Sequence, residues 1–412
     1  MKVIHISYSN YIGGASIAAY RIHRSLRHNN IDSSMWTIES SLSENVHEKN
    51  KSFLGKLLLR LRRYLTWPLL KSIKTSLPIH HSISLLPSKF VKHINASDAD
   101  VVHLHWIQRE MISISDLARI KKPVVWTLHD MWAFCGAEHY TSNNRWLSGY
   151  LEGNRPEYES GFDLNRWTWQ RKKRHWKKPF EIITPSKWLG NCVGKSKLMN
   201  TWPITVIPNP IDIDFWKPVE KKRSRHMLKL HDDITYILFG AHGGSKDPRK
   251  GFDLFLDSLI FLKKKYRFDN NIELLVFGEN KPKKQENYNF KVTYLGQINS
   301  FEHLKLIYNA TDVLVIPSRQ DNFPNIAIEA HACGTPIVGF DIGGLADIIK
   351  HKKTGYLAKS FDSEELAYGI SWTLKNNLKC KLNQTAREYV INNFSEKDIA
   401  SKYSDIYSKV SK

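Results

Sequence analysis

Asp312–Gly344, DVLVIPSRQDNFPNIAIEAHACGTPIVGFDIGG, is the stretch whose reading decides the fold. Asp312–Pro317 carries the Val/Ile/Leu run of a parallel strand covered on both faces. A polar elbow follows, Ser318–Asn322, then Phe323 and Pro324, a residue suited to the start of a helix because its missing N–H would be unpaired there. The spacing predicts a short helix over Asn325–Cys333, ended by Gly334, and a second strand over Pro336–Phe340 that stops at Gly343–Gly344. Helix starts expose N–H groups and partial positive charge, so Asn325 and Ile326 are expected to receive a phosphate. Glu329 lies about 6 Å further along the axis, placed to reach past that phosphate to a ribose diol. Asp321 is the second acid of the stretch.

The chain has 412 residues, 42% of them hydrophobic, enough for two or three domains with separate cores. No apolar run approaches the roughly 18 residues of a spanning helix. The opening MKVIHISYSN reads as a first strand rather than a signal peptide, and the expected location is the cytosol. Cys135, Cys192, Cys333 and Cys380 are far apart and form no C-x-x-C pair, against a zinc site or a disulfide framework. The net charge is +21, and residues 1–208 hold 30 Lys+Arg against 15 Asp+Glu, an excess that points to an anionic surface or substrate on the amino-terminal side.

Lys2–Ser7 as a strand, a Gly-Gly turn and a helix over Ala15–Arg27 make the opening of a Rossmann-like unit. The turn reads YIGGAS, without the G-x-G-x-x-G of dinucleotide sites, so NAD is not expected. Between Lys49 and Ser97 there is no acid among ten Lys/Arg. Within that segment residues 54–67 place Leu54, Leu57, Leu61, Tyr64 and Leu65 at helical spacing with Lys56, Arg60, Arg62 and Arg63 between them, and Trp67 near the end. Such a helix is expected to lie on an anionic membrane surface. Strands are predicted over Asp100–Trp106 and Pro123–Asp130, with a helix around Ser115–Ile120. His103 and His105 share one strand face, but no further ligand set completes a metal site, so no metal is expected. His129 ends its strand, where open α/β sheets bind ligands. Residues 137–162 read as loop, and Asn165–Lys178 mixes cations with aromatics, a pattern that can bind single-stranded nucleic acid. In the second half, Tyr236–Ala241 is a strand, and HGGSKDPRKG sets Lys246, Arg249 and Lys250 ahead of a helix over Phe252–Lys264, a diphosphate-binding pattern. Later helices are expected over Phe301–Ala310, from Asp347, over Ser363–Leu374 with an S-x-E-E cap, and over Phe394–Val410.

The two acids eight apart, the small-residue helix and the CGTP turn resemble the signature of retaining glycosyltransferases of family 4, and QDNFPN resembles the subgroup tied to bacterial exopolysaccharide of the colanic acid type. That resemblance implies an α/β GT-B fold, two Rossmann-like domains facing across a cleft. It implies an acceptor domain over residues 1–208, completed by a helix over 394–412, and a donor domain over 209–393. It implies that Gly13 and Gly14 close over the active site, that His129 of T-L-H-D touches the transferred sugar, and that Asn165–Lys178 is a helix covering the sheet. It further implies that Asp321, with the backbone of Asn322 and Phe323, holds hydroxyls of that sugar. Asp321–Asn322 stands where the family has Glu–Gly. Gly240 and Lys250–Gly251 match the family's donor loop, but Ala241 takes its arginine's place, and Arg249 is expected to supply that charge.

The reaction expected is transfer of a sugar from a nucleoside diphosphate donor to a hydroxyl of a glycan or lipid-linked acceptor, with no metal or other cofactor. The setting implied is surface polysaccharide synthesis at the inner face of the cytoplasmic membrane. Two other readings stay open: a glycoside hydrolase with Asp321 and Glu329 as its carboxylate pair, and a nucleic-acid-binding protein using residues 165–178, which the absence of an accompanying binding motif disfavours.

Overall fold

Short β-branched runs such as Val101–Leu104 and Val313–Ile316 lie fully buried in parallel sheets, as strands with both faces covered must. The computed structural model describes residues 1–40, 43–48, 53–75, 79–240, 247–266, 271–281 and 290–412. The chain divides into two units, Met1–Pro210 with Glu396–Lys412, and Ile211–Ser395.

The first unit contains β1 (Lys2–Ile6), α1 (Gly13–His28), β2 (Asp32–Thr37), β3 (Val46–Glu48), α2 (Phe53–Ser72), β4 (Ile73–Thr75), α3 (Phe90–Asn95), β5 (Val101–Leu104), α4 (Ile114–Leu117) and β6 (Val124–Thr127). It continues with α5 (Arg145–Ser148), β7 (Glu159–Gly161), α6 (Leu164–His175), β8 (Glu181–Thr184), α7 (Lys187–Lys195) and β9 (Ile204–Val206). Its parallel sheet runs β3-β2-β1-β5-β6-β8-β9. The chain moves outward from β1 through β2 and β3, then returns to the other side of β1 as β5, so the order reverses between β1 and β5.

The second unit contains α8 (Lys221–Met227), β10 (Thr235–Gly240), α9 (Phe252–Tyr266), β11 (Ile272–Phe277), β12 (Lys291–Gly296), α10 (Phe301–Ala310) and β13 (Val313–Ile316). After these come α11 (Asn325–Ala332), β14 (Ile337–Phe340), α12 (Leu345–Ile348), β15 (Gly355–Ala358), α13 (Ser363–Asn376) and α14 (Leu382–Phe394). Its parallel sheet, β12-β11-β10-β13-β14-β15, reverses between β10 and β13. The last helix, α15 (Glu396–Val410), packs Ile399, Tyr403 and Tyr407 against Val3, Val101 and Val125 of the first sheet.

Several boundaries differ from expectation for local reasons. The first helix begins at Gly13, so Gly13 and Gly14 are its first residues rather than a free turn. Asp362, not Ser363, caps α13, its carboxylate accepting from the Glu365 N–H at 2.9 Å. Leu345–Ile348 is helical where a helix was expected only from Asp347. A separate helix, α14, precedes the last one, which starts at Glu396 rather than Phe394. Residues 137–162 include α5 and β7 because Arg145, buried, gathers Asp163 at 2.6 Å and Glu159 at 3.7 Å. The polar punctuation of that segment hides this buried cation.

The sheet face under α1 and α15 is unusual in carrying imidazoles. Strand alternation puts His5 beside Val3 and His103 beside Val101 on that face, and both histidines are fully buried with His105. Burial pushes His23 and His129 down to about 4, and holds His5, His103 and His105 well below the ordinary histidine range, helped by their mutual repulsion. The five are neutral in the folded protein near pH 7, while the unfolded chain takes up protons below about 6.5. Stability is therefore full above about 6.5 and falls as the pH drops toward about 4, by about 2 kcal/mol for each of His23 and His129 at pH 5. Glu159, raised by burial to about 7, and Glu110 and Glu138, also raised by burial, work in the opposite direction but are fewer than the five histidines. Urea titrations at pH 7, 6 and 5 should show the midpoint falling; a flat or rising midpoint contradicts this reading.

Candidate functional site

The reversal between β10 and β13 leaves a crevice position at their carboxyl ends, the place where open α/β sheets bind ligands. Two loops meet there. After β10 the chain reaches a single 3-10 turn, Pro248–Lys250, and after β13 it makes the elbow 318–323. The Lys250 ammonium lies 2.6 Å from the Asp321 carboxylate, joining two residues 71 apart in sequence. Backbone geometry sets this meeting. Gly251 has φ +66°, and a Cβ there would sit 1.9 Å from the Pro317 carbonyl oxygen. Gly343 has φ +54°, and a Cβ there would sit 2.0 Å from the Asp321 carbonyl oxygen, which instead accepts the Gly344 N–H at 3.1 Å. Only glycine permits either approach.

Other groups secure the two loops. Asp247 caps the 3-10 turn, accepting the Arg249 N–H at 3.0 Å, and its other oxygen pairs with the Arg249 guanidinium at 2.6 Å. Arg249 thus sits against an acid three residues ahead of the helix α9. The position it was expected to replace, Ala241, lies outside the described residues, as does Lys246. Arg319 ties the loops together: its N–H donates to the Arg249 carbonyl at 2.7 Å, its guanidinium to the Pro248 carbonyl at 2.9 Å, and it pairs with Asp253 at 2.5 Å.

Pro324 stands at the N-cap of α11, so Asn325 and Ile326 open the helix and bring its first N–H groups to the same strand end. Asn322 and Phe323 are buried, the Phe323 ring lying edge-on to Phe394 at 5.5 Å. Glu329 is 2% exposed and accepts the Tyr308 hydroxyl at 2.9 Å. An ammonium has donors beyond the one given to Asp321, and helix amino termini present further N–H groups, chemistry that can receive an anion.

In the first unit the corresponding reversal lies between β1 and β5. Tyr8 follows β1 and Trp106 follows β5, their rings edge-on at 6.0 Å. Arg63 of α2 and Arg109 both stand over the Tyr8 ring, at 5.2 and 5.4 Å, and Arg109 also faces Trp106 at 5.4 Å. Arg109 and Glu110 both adopt left-handed backbone, φ +55° and +60°, a strain fixed by the Glu110 carboxylate accepting from Leu85 N–H at 2.8 Å and Leu86 N–H at 2.9 Å. Arg63 lies 3.9 Å from Glu39, while among the described residues Arg109 forms no ion pair. His129, just beyond β6, is part-buried, with its Nε2 3.2 Å from His105 Nδ1. Asp130 is taken up by the Trp106 indole at 3.0 Å, the Trp132 N–H at 3.0 Å and His139 at 2.6 Å. Gly13, at φ +80°, has open space where a Cβ would be.

The structure therefore brings Lys250, Arg249, Asp321 and the start of α11 to one strand end, with Glu329 in the core behind it, and places His129, Gly13 and Gly14 at strand ends of the other unit. Tyr308, Arg319, Asp247 and the Tyr8–Arg63–Arg109 group were not legible in the sequence. Only Asp247, an acid directly before Pro248, has a local cue, since Asp before Pro favours a turn. The basic-aromatic helix α6 turns one side inward, with Leu164, Asn165, Thr168, Trp169 and Lys172 buried, and leaves Lys173 and Arg174 exposed. Buried Lys172 donates to the carbonyls of Trp132, Cys135 and Gly136, and Arg171 to those of Ile83 and Ser84.

The family model described as Glycosyltransferase Family 4 matches residues 12–215, and that described as Glycosyl transferases group 1 matches residues 237–393. An uncharacterized glycosyltransferase of Methanocaldococcus jannaschii is 31% identical over 206 residues, 48% of each chain. The lipopolysaccharide 1,2-N-acetylglucosaminetransferase of Salmonella typhimurium is 23% identical over 241 residues, 55% of this chain and 61% of that one. The alignment thus spans about half the length of the first of these relatives. The Anabaena protein HepE, solved in complex with UDP, superposes with a TM-score of 0.63 at 15% identity over 99% of this chain and 100% of its own. The likeness to HepE shows the GT-B fold, and the two family matches, over residues 12–215 and 237–393, establish that the chain belongs to the family 4 glycosyltransferases.

Proposed function

We propose that this protein transfers a sugar from a nucleoside diphosphate sugar to a hydroxyl of a glycan or lipid-linked acceptor, with retention at the anomeric carbon. The observation that carries the proposal is the Lys250–Asp321 pair at the strand-order reversal of the second unit, beside the start of α11. The UDP complex of HepE and the name of the Salmonella relative support the donor and acceptor classes.

In this reading Lys250, Arg249 and the N–H groups at Asn325 and Ile326 receive the diphosphate, and Glu329 the ribose. Asp321 exchanges part of its contact with Lys250 for hydroxyls of the donor sugar, with the backbone of Asn322 and Phe323. Gly13, Gly14 and His129 contribute from the acceptor domain. As the C1–O bond to phosphate breaks, its electron pair goes to the diphosphate, whose growing charge these fixed cations and dipoles stabilise. The acceptor oxygen bonds to C1 on the same face and its proton passes to a phosphate oxygen. No step requires a metal.

The acceptor is proposed to dock on the first unit, where Arg63 and Arg109 over Tyr8 and Trp106 offer two guanidiniums and an aromatic floor to a glycan carrying an anionic group. α2 is proposed to bring that unit to an anionic membrane. It is anchored by Arg62, which donates to the carbonyls of Leu86, Pro87 and Glu110, and by buried Thr66. Its opposite side exposes Leu57, Leu58, Leu61, Tyr64 and Leu65 at helical spacing, with Trp67 beyond, Tyr64 being 74% exposed. Among the described residues no helix is long and apolar enough to cross a membrane, so this contact would be a surface one. A place in bacterial exopolysaccharide synthesis at the inner membrane face fits these features.

A hydrolase would need Asp321 and Glu329 facing one another across a sugar; their contacts are instead with two other side chains, Asp321 with Lys250 and Glu329 with Tyr308, which weighs against that reading. Within 165–178, Arg171 and Lys172 are taken by backbone carbonyls and Trp169 and Trp176 by the core, which weighs against the nucleic-acid reading, while Lys173, Arg174, Lys177 and Lys178 are exposed.

Thermal-shift measurements with UDP-, GDP- and ADP-sugars should find one nucleotide that raises the melting temperature, by about 2.7 kcal/mol of stabilisation at a hundredfold excess over Kd. Lys250→Ala should abolish that shift and lower kcat by about 10²–10³-fold, and Glu329→Gln should weaken donor binding about tenfold. If no nucleotide shifts the wild type, or Lys250→Ala binds normally, the donor site is misassigned. Flotation should recover the protein with anionic liposomes and not neutral ones, and Leu61→Glu with Leu65→Glu should abolish recovery; equal recovery from both lipids, or none, removes the membrane role.

A further inference from the structure

Three imidazoles, buried His5 and His105 and part-buried His129, form a continuous hydrogen-bonded file that ends at His129. His5 Nδ1 is 2.9 Å from His105 Nε2, and His105 Nδ1 is 3.2 Å from His129 Nε2. The rings lie edge to edge along the file, His5 and His105 with centroids 5.2 Å apart and 12° between planes, His105 and His129 at 5.5 Å and 29°. The sheet produces this diagonal: β1, β5 and β6 are adjacent, and residues on one face of each step toward the carboxyl ends. At the inner end His5 Nε2 is buried with no partner among the described residues.

That one unanswered atom determines where every proton in the file sits. Each neutral imidazole has a single N–H and a single lone pair. A proton on His5 Nε2 would be a buried donor with nothing to receive it, the rarer and costlier defect, whereas a bare lone pair there costs less. His5 therefore carries its proton on Nδ1 and donates to His105 Nε2. His105 must then carry its proton on Nδ1 and donate to His129 Nε2, and His129 must carry its own on Nδ1. We infer that His5 and His105 are positioning residues that hold His129 as the Nδ1–H tautomer, making it a fixed hydrogen-bond donor whose Nε2 is already occupied.

The consequence for chemistry rests on the glycosyltransferase reading above. A His129 held this way cannot act as general base through Nε2, and its other ring nitrogen is a donor and not an acceptor. The acceptor proton must then leave by another path, as it does when a phosphate oxygen takes it.

A cation shared by His5, His103 and His105 is the rival use of these rings, since one nitrogen from each lies within 4.8 Å of the others. It fits worse. Both nitrogens of His103 are on hydroxyls, Tyr407 at 2.7 Å and Thr127 at 2.7 Å, and the His5–His105 contact already holds a proton. No carboxylate or thiolate among the described residues completes the set to balance a divalent charge.

The test is the nitrogen-15 spectrum of the histidine rings in the intact protein at pH 7, with assignments from single replacements. The expected result is a pyrrole-type Nδ1 and a pyridine-type Nε2 at His5, His105 and His129. A pyrrole-type Nε2 at His129, or a fast-exchanging tautomer mixture there, overturns the proposal, as does one equivalent of tightly bound transition metal by elemental analysis. His105→Leu should release His129 into a mixture, whereas His105→Asn, whose side-chain amide can donate from near the place of Nδ1, should retain the wild-type pattern; an unchanged His129 in His105→Leu overturns the inference. Once a donor and acceptor pair is in hand, His105→Leu should lower kcat about tenfold or more and His105→Asn by less than about threefold, an order of magnitude set by one hydrogen bond. The wild-type spectrum decides the tautomer even if a variant does not fold, and it does so independently of whether the transfer reading stands.

Discussion

The second unit depends on two places where one loop's backbone lies almost against another's carbonyl. At Gly251 the loop after β10 rests on the Pro317 carbonyl at the end of β13, and at Gly343 the loop after β14 rests on the Asp321 carbonyl. The three strands are neighbours in register, Phe239 beside Val315 and Val315 beside Val338, so their carboxyl ends are level and the loops converge. With any side chain at either glycine the loops would have to part by more than an ångström, and Lys250 would lose Asp321. Arg319 and Asp247 then hold what the glycines allow, through hydrogen bonds to the loop backbone. The result is an ammonium, a carboxylate and a helix amino terminus fixed before any ligand arrives, which is what electrostatic preorganisation requires.

The first unit solves a different problem. Its sheet face under α1 and α15 contains rings that must be paired internally because water does not reach them. His103 is satisfied by Tyr407 and Thr127, and Tyr403 also reaches Thr127 at 3.2 Å. The last helix of the chain thus completes the polar network of the first sheet as well as its apolar packing. His105 has no such hydroxyl and is paired by two other imidazoles. Neutral rings are stable in that setting because burial disfavours their charged form.

α2 joins these elements to the outside. Neighbouring residues on it look in two directions: Arg62 grips the carbonyls of Leu86, Pro87 and Glu110, Arg63 reaches the Tyr8 hydroxyl, and Tyr64 and Leu65 face solvent. Glu110 in turn holds the segment 85–86 and fixes Arg109 in its left-handed backbone. The cations over Tyr8 are therefore mechanically continuous with the exposed apolar stripe.

Much was legible in the sequence because it depends on local chemistry. Alternation of short β-branched runs with glycine turns and helical spacing implied doubly wound parallel sheets. The stretch from Asp312 to Gly344 showed its strand, elbow, helix and second strand nearly to the residue, since each boundary is marked by Pro, Gly or a change of period. The apolar spacing of 57–65 likewise identified a helix with one greasy side. Pairing across long separations was not legible. Nothing local says that Lys250 meets Asp321, that Glu329 is enclosed with Tyr308, that Lys172 and Arg171 turn into the fold, or that His5 joins His105 and His129. Those relations depend on strand order and register, which bring distant residues together through the sheet. A sequence specifies the strands by their pattern, but only the assembled sheet decides which strand ends are neighbours.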